Sequence, residues 1–155
     1  MEESTVTASA IVSFAEKLES ESSTFYRRIA ERFAADCREM LLIFAEESEN
    51  SRVMVTRTYR ETISDALEAC FSFTGLDLSN YVAEMALTDD ISDLDALKMA
   101  VDLEEKTSKF YLDVSERSES LLATISHAFR KLAKTRSNRV LKLKTLLSVR
   151  ASPRK

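Results

Sequence analysis

The segment VSFAEKLESESSTFY, residues 12–26, recurs farther along the chain as LKMAVDLEEKTSKFY, residues 97–111. The two copies align at a fixed offset of 85 residues, which matches Glu19 with Glu104 and Tyr26 with Tyr111. In both copies the apolar positions recur at steps of three and four residues, which is the spacing of one helix face. A repeated helical segment predicts two related helices in equivalent places of one fold.

A second pair of segments shows the same relation at an offset of 88 residues, with Phe44-Ala45 matching Leu132-Ala133. The connection between the two repeats, about residues 61–94, is too long for a tight turn; it contains Gly75 and a short amphipathic stretch that predicts a short helix. Two helical hairpins joined by a long crossover are therefore predicted. The predicted helices span about residues 8–34, 37–72, 93–116 and 120–149.

The composition supports an all-α fold that forms a single domain over residues 1–155. The chain has one Gly and one Pro, whereas β-rich folds of this size need many turns built from such residues. Good helix formers (Ala, Leu, Glu, Lys and Arg) fill the long segments instead.

Charge and hydropathy exclude several classes of partner. The net charge is −4 and the two signs are interspersed, so we expect no nucleic-acid partner. Residues 1–10 do not resemble a signal peptide, and the longest apolar run, residues 40–45, is too short to cross a bilayer. We therefore expect a soluble cytoplasmic protein without a membrane partner. Cys37 and Cys70 have no metal-type spacing and are interpreted as free thiols.

Each of the four predicted helices has an apolar face that turns polar near its middle. A bundle core normally excludes Glu, Ser and Arg, so these residues at inward positions need an explanation. Because the helices are related by the repeats, we expect the polar positions to converge on one central layer. They are Glu19, Ser48, Ser51, Glu104, Arg136 and Arg139.

The strings from Glu19 to Tyr26 and from Glu104 to Tyr111 resemble the rubrerythrin branch of the ferritin-like superfamily. Members place one Glu on each of helices one and three, seven residues before a Tyr, and a Glu-x-x-His pair on each of helices two and four. The linker around residues 74–77 also resembles the crossover of small rubrerythrin-like proteins, and the resemblance covers about residues 10–149. It implies a ferritin-like four-helix bundle and a homodimer formed through helical faces.

The chain departs from this family at the ligand positions of helices two and four. Ser48 and Ser51 stand at one pair of positions, and Arg136 and Arg139 stand at the other. Four of the six expected ligands of the dimetal site, including both histidines, are therefore missing. Two arginines repel a metal cation and supply the positive charge that buried glutamates require. We predict that a buried Glu/Arg network replaces the dimetal site and that no cofactor is bound.

Other polar residues receive ordinary interpretations. Glu46, Glu47 and Glu49 flank Ser48, but a helix turns about 100° per residue, so these three side chains are predicted to face solvent. His127 lies off the inward face and is assigned a surface or packing role. Tyr26 and Tyr111 lie beside the layer and are similar to redox tyrosines by family analogy, but they are interpreted as core packing.

Three functional hypotheses follow. The leading one is a non-catalytic rubrerythrin-like protein, kept as a structural module or for association with itself or an unidentified protein. The second is an iron- or manganese-binding oxidoreductase, a peroxidase or ferroxidase, whose ligands are Glu19, Glu104 and unorthodox carboxylates such as Glu16, Glu46 or Glu49. The third is a bundle that binds a small anion between the two arginines. A simpler arrangement, in which the arginines reach out to solvent and the glutamates pair with lysines or water, is the alternative to the network itself.

Overall fold

The computed structural model describes residues 5–33, 35–62, 72–118 and 123–151. Within these ranges the chain is a bundle of four long helices. They are α1 (Ala8–Ala30), α2 (Ala35–Thr62), α3 (Asp93–Ser118) and α4 (Ala123–Ala151). The crossover between α2 and α3 contains a short 3₁₀-helix, Leu78–Tyr81, and one strand that pairs with the start of the chain. The all-α class and the four predicted helices are confirmed.

The ends of two helices differ from the prediction. The first helix ends at Ala30, because the N–H groups of Arg32 and Phe33 bond to carbonyls three residues back and close a turn. The second helix was predicted to continue to residue 72. Its predicted end was wrong, because residues 72–74 form a strand. Gly75 follows with a φ of +80°, a left-handed conformation that does not continue a helix. Residues 63–71, with Cys70, and residues 119–122 and 152–155 lie outside the described residues.

Two three-residue strands tie the start of the chain to the crossover. β1 (Thr5–Thr7) pairs antiparallel with β2 (Ser72–Thr74), with Val6 opposite Phe73. Thr7 also begins α1, since its hydroxyl accepts the N–H of Ala10 at 3.1 Å. The sequence prediction missed this pairing, because three-residue strands are too short to show an alternating pattern.

Hydrogen bonds between helices establish their directions. Ser108 Oγ on α3 donates to the carbonyl of Ala133 on α4, and seven residues later Ser115 bonds to Ser126. The residue number rises along α3 while it falls along α4, so these two helices are antiparallel. The short connection between α1 and α2 gives the first hairpin the same arrangement.

An aromatic cluster joins the crossover to the bundle. The ring of Phe110 on α3 lies between Phe14, Tyr81 and Phe129, at centroid distances of 4.9, 5.4 and 6.4 Å. Tyr81 Oη donates to Asp113 at 2.6 Å, so the polar end of this buried ring is also satisfied. Burying rings of this size stabilises the fold by about 1.5–3 kcal/mol each, which fixes the crossover against α3.

An N-cap of α3 and hydrogen bonds from an arginine hold the end of the crossover in place. Ser92 Oγ accepts the N–H of Asp95 at 3.0 Å and so caps the start of α3. Arg32, in the turn after α1, donates to the carbonyls of Ile91 and Thr88 at 2.5 and 2.7 Å.

None of the helices in the described ranges combines the length and apolar character that crossing a membrane requires.

Candidate functional site

Polar side chains from all four helices meet in one layer at the centre of the bundle. Glu19 on α1 and Glu104 on α3 are 0% exposed, and Arg136 and Arg139 on α4 are each 1% exposed. Charged side chains at this depth are unstable unless opposite charges and hydrogen bonds compensate for the lost hydration. The contacts of each group therefore decide what the layer does.

Arg136 bridges the two glutamates. Its Nη1 donates to Glu104 Oε1 at 2.6 Å, and its Nη2 donates to Glu19 Oε1 and, at 3.1 Å, to Ser22 Oγ. Burial by itself would lower the pKa of Arg136, but the two carboxylates more than offset it and hold that pKa above its usual value. One guanidinium thus pairs with a glutamate of each hairpin, and the predicted pairing is present.

Arg139 extends the layer towards α2. Its Nη1 donates to Ser48 Oγ at 2.9 Å and to Glu104 Oε1 at 3.2 Å. Its Nε donates to Glu47 Oε1 at 3.2 Å. The guanidinium carbon lies 5.3 Å from the centroid of the Phe44 ring, which adds a cation–π contact.

Glu47 is a site residue that the sequence analysis missed, because it was predicted to face solvent. Its side chain is 41% exposed, yet its carboxylate reaches the guanidinium of Arg139. The helical turn of about 100° per residue sets only the direction in which Cβ leaves the helix. A glutamate side chain has three rotatable bonds, so its carboxylate can return to the rim of the layer. Glu46 is exposed and Glu49 pairs with Arg52 at 3.4 Å, so those two predictions hold.

The two repeat tyrosines donate to the glutamates in a reciprocal manner. Tyr26 on α1 donates to Glu104 on α3, and Tyr111 on α3 donates to Glu19 on α1. Tyr26 thus contacts the repeat equivalent of Glu19, and Glu19 contacts the repeat equivalent of Tyr26. This pairing makes α1 and α3 antiparallel and relates the two hairpins by an approximate twofold axis. Burial, followed by the charge of the adjacent glutamate, raises the pKa of both phenols.

These phenols have a role beyond the predicted packing. Both rings are fully buried, and they pack edge-on against Phe44 and Phe129. Their hydroxyl groups also satisfy carboxylate oxygens of the layer. The sequence held a signal for this role, since a buried tyrosine needs an acceptor and each Tyr lies two helical turns after an inward Glu.

Three other residues named in the sequence analysis, one of them in the predicted layer, make none of the ion pairs of the layer. Ser51 is buried on the same face of α2 as Ser48, but its hydroxyl makes no hydrogen bond to another described residue. His127 is exposed, as predicted. Cys37 is a half-buried free thiol near the α1–α2 turn.

The residues of the layer do not fit a dimetal centre. Three of the four carboxylate oxygens of Glu19 and Glu104 already accept a hydrogen bond from a guanidinium or a phenol. They could bind a metal ion only by displacing that donor. Two arginines bring positive charge where metal cations would have to lie. Within the described ranges, no group of three or more His, Cys, Asp or Glu side chains is arranged to hold a metal ion.

Comparison of the chain with family models, with curated proteins and with solved structures gives no match. The rubrerythrin-like interpretation therefore rests on the residues of the repeat and stays a prediction. The four-helix bundle and the contacts of its central layer are properties of the structure and do not depend on that interpretation.

Proposed function

We propose that this protein is a non-catalytic rubrerythrin-like bundle, retained as a structural or protein-interaction module, in which a Glu/Arg network replaces the dimetal site. The observation that carries the proposal is the bridging contact of Arg136 with Glu19 and Glu104. Arg136 pairs with both carboxylates and Arg139 supplies the second positive charge, so the two arginines take the electrostatic role that metal ions have in a dimetal carboxylate bundle. The two serines of α2 support the same proposal, because they leave room for the arginines.

Metal analysis tests the proposal directly. After purification from medium supplemented with iron and manganese, we expect metal well below about one ion per two chains and no peroxide turnover after reconstitution. Stoichiometric, tightly held metal would instead support the oxidoreductase alternative and would overturn the proposal.

A restored variant supplies the matched positive control. The quadruple substitution S48E/S51H/R136E/R139H writes the Glu-x-x-His pattern into α2 and α4 while keeping Glu19 and Glu104. If the layer is a replaced dimetal site, this variant gains metal binding that the natural chain lacks, measured by elemental analysis with helicity checked by circular dichroism. A folded variant that binds no metal would contradict the dimetal origin of the layer.

The protein-interaction part of the proposal is that two copies of the chain form a homodimer. Leu112 on α3 and Leu141 on α4 are 42% and 66% exposed and line one hollow on the outer face of the second hairpin. An ion pair between Lys144 and Glu105 flanks this hollow, so a second copy meets both signs of charge there. We expect sedimentation equilibrium to show a dimer that Leu141→Glu weakens, whereas Val149→Glu, at an equally exposed position, leaves it intact. A monomeric natural chain would contradict this part.

A further inference from the structure

Two buried polar atoms of the central layer have no hydrogen-bond partner among the described residues: Glu104 Oε2 and Arg139 Nη2. Their side chains already touch, because Arg139 Nη1 donates to Glu104 Oε1 at 3.2 Å. The pair therefore makes one contact where a forked arginine–carboxylate pair would make two. Since each unpartnered atom is bonded to the same carbon as one atom of the existing contact, both lie beside that contact.

The chemistry of the two atoms restricts what can satisfy them. Glu104 Oε2 accepts hydrogen bonds and Arg139 Nη2 donates them. An anion would satisfy the arginine but would be repelled by the carboxylate, and a metal cation would do the reverse. A small neutral molecule that both donates and accepts satisfies the two together, and water is the smallest such molecule.

On the side of the layer formed by α2, the two residues that face the centre are small and polar. Ser48 and Ser51 occupy the positions that, in the second hairpin, hold Arg136 and Arg139. Ser48 Oγ already accepts from Arg139, whereas the buried Ser51, one turn farther along α2, makes no hydrogen bond to another described residue. Its hydroxyl is the third polar group on this side of the layer.

We infer that the layer contains a binding site for one internal water molecule, which donates to Glu104 Oε2, accepts from Arg139 Nη2 and donates to Ser51 Oγ. Three hydrogen bonds are the usual number for a buried water. The rim beside the half-exposed Glu47 is the edge through which this water exchanges with solvent. This water would join Glu104 and Arg139 by a second link beside their direct contact.

Magnetic relaxation dispersion of ¹⁷O and ²H in water tests the inference by counting long-lived internal waters. We expect the count to fall by one in Ser51→Val, whose extra methyl groups fill the site. The melting temperature should fall by about 3–6 °C, because both charged groups then lose a partner. Ser51→Ala, which leaves the space open, should keep the water, and Ser20→Val on the exposed face of α1 should change neither quantity.

A high-resolution crystal structure of the natural chain gives a second readout that does not depend on the stability of a variant. Density for one water within hydrogen-bonding distance of both Glu104 Oε2 and Arg139 Nη2 supports the inference. An ion at this position, direct pairing of the two atoms, or an unchanged water count in folded Ser51→Val overturns it.

Discussion

The two hairpins have the same glutamate and tyrosine on their first helices but differ on their second helices. In the first hairpin, α2 brings Ser48 and Ser51 to the central layer, and in the second hairpin α4 brings Arg136 and Arg139. Long cationic side chains fit in the middle of a bundle only where the facing positions are small, and they stay buried only where acids surround them. The serines and the arginines are therefore two halves of one arrangement.

The ion pairs and hydrogen bonds of this layer lie both within the second hairpin and between the two hairpins. Arg136 pairs with Glu104 of its own hairpin and with Glu19 of the other, and each tyrosine donates across to the opposite hairpin. Substitutions in the layer should therefore weaken the docking of the hairpins more than the hairpins themselves. The following predictions are ordered by the size of the expected effect.

Loss of the bridge should have the largest effect. Arg136→Ala leaves Glu19 without a cationic partner and deprives Glu104 of one, and we expect it to lower the free energy of unfolding by about 3–5 kcal/mol. Urea denaturation followed by circular dichroism measures this change. Lys134→Ala, at an exposed position two residues earlier on α4, is the control and should have little effect. Equal stability of the two variants would show that the bridge does not stabilise the bundle.

Loss of the outer arginine should matter less. Arg139→Ala leaves Glu104 paired with Arg136 and Tyr26, and its other acidic partner, Glu47, is partly exposed. We expect a loss of about 1–3 kcal/mol by the same measurement. A loss larger than that of Arg136→Ala would reverse the proposed ranking of the two arginines.

The tyrosines should reveal an asymmetry between the hairpins. Tyr111 donates to Glu19 Oε2, which has no other partner in the described contacts, whereas Tyr26 shares Glu104 Oε1 with two arginines. We expect Tyr111→Phe to cost about 1–3 kcal/mol and Tyr26→Phe about 0.5–1.5 kcal/mol. Calorimetry on both variants gives the comparison, and equal costs would mean that the network responds as a symmetric unit.

Alkaline pH should weaken the layer gradually. Because burial raises the pKa of Tyr26 and Tyr111, the unfolded chain releases these protons near pH 10 while the folded chain still holds them. The contribution of the two protonated phenols to stability is complete below pH 10. Above pH 10 the free energy of unfolding should fall by about 1.4 kcal/mol per pH unit for each of these tyrosines. Urea midpoints between pH 8 and 11.5 measure the slope. Replacing one tyrosine by Phe should reduce it, and an unchanged slope would contradict this cause.

The repeat made most of the bundle predictable. Once Glu19 and Glu104 were aligned, the inward positions of all four helices followed from helical spacing, and with them the six residues of the layer. The contacts of flexible groups could not be obtained this way. Glu47 returns to the layer through its long side chain, and the strand at residues 72–74 depends on a pairing partner near the start of the chain. Both are set by tertiary contacts that local periodicity does not contain.

The reciprocal contacts between tyrosines and glutamates have a consequence for folding kinetics. They join residues separated by 78 and 92 positions, whereas the contacts between α3 and α4 join residues much closer in sequence. Hairpins formed from nearby residues close quickly, and the loop joining them has to close before the distant pairs can form. We therefore expect the contacts between the hairpins, including the pair of Arg136 with Glu19, to form late, when the hairpins dock, and to slow unfolding. The protein's lifetime in the folded state then depends on the residues at its centre more than on the helices that carry them.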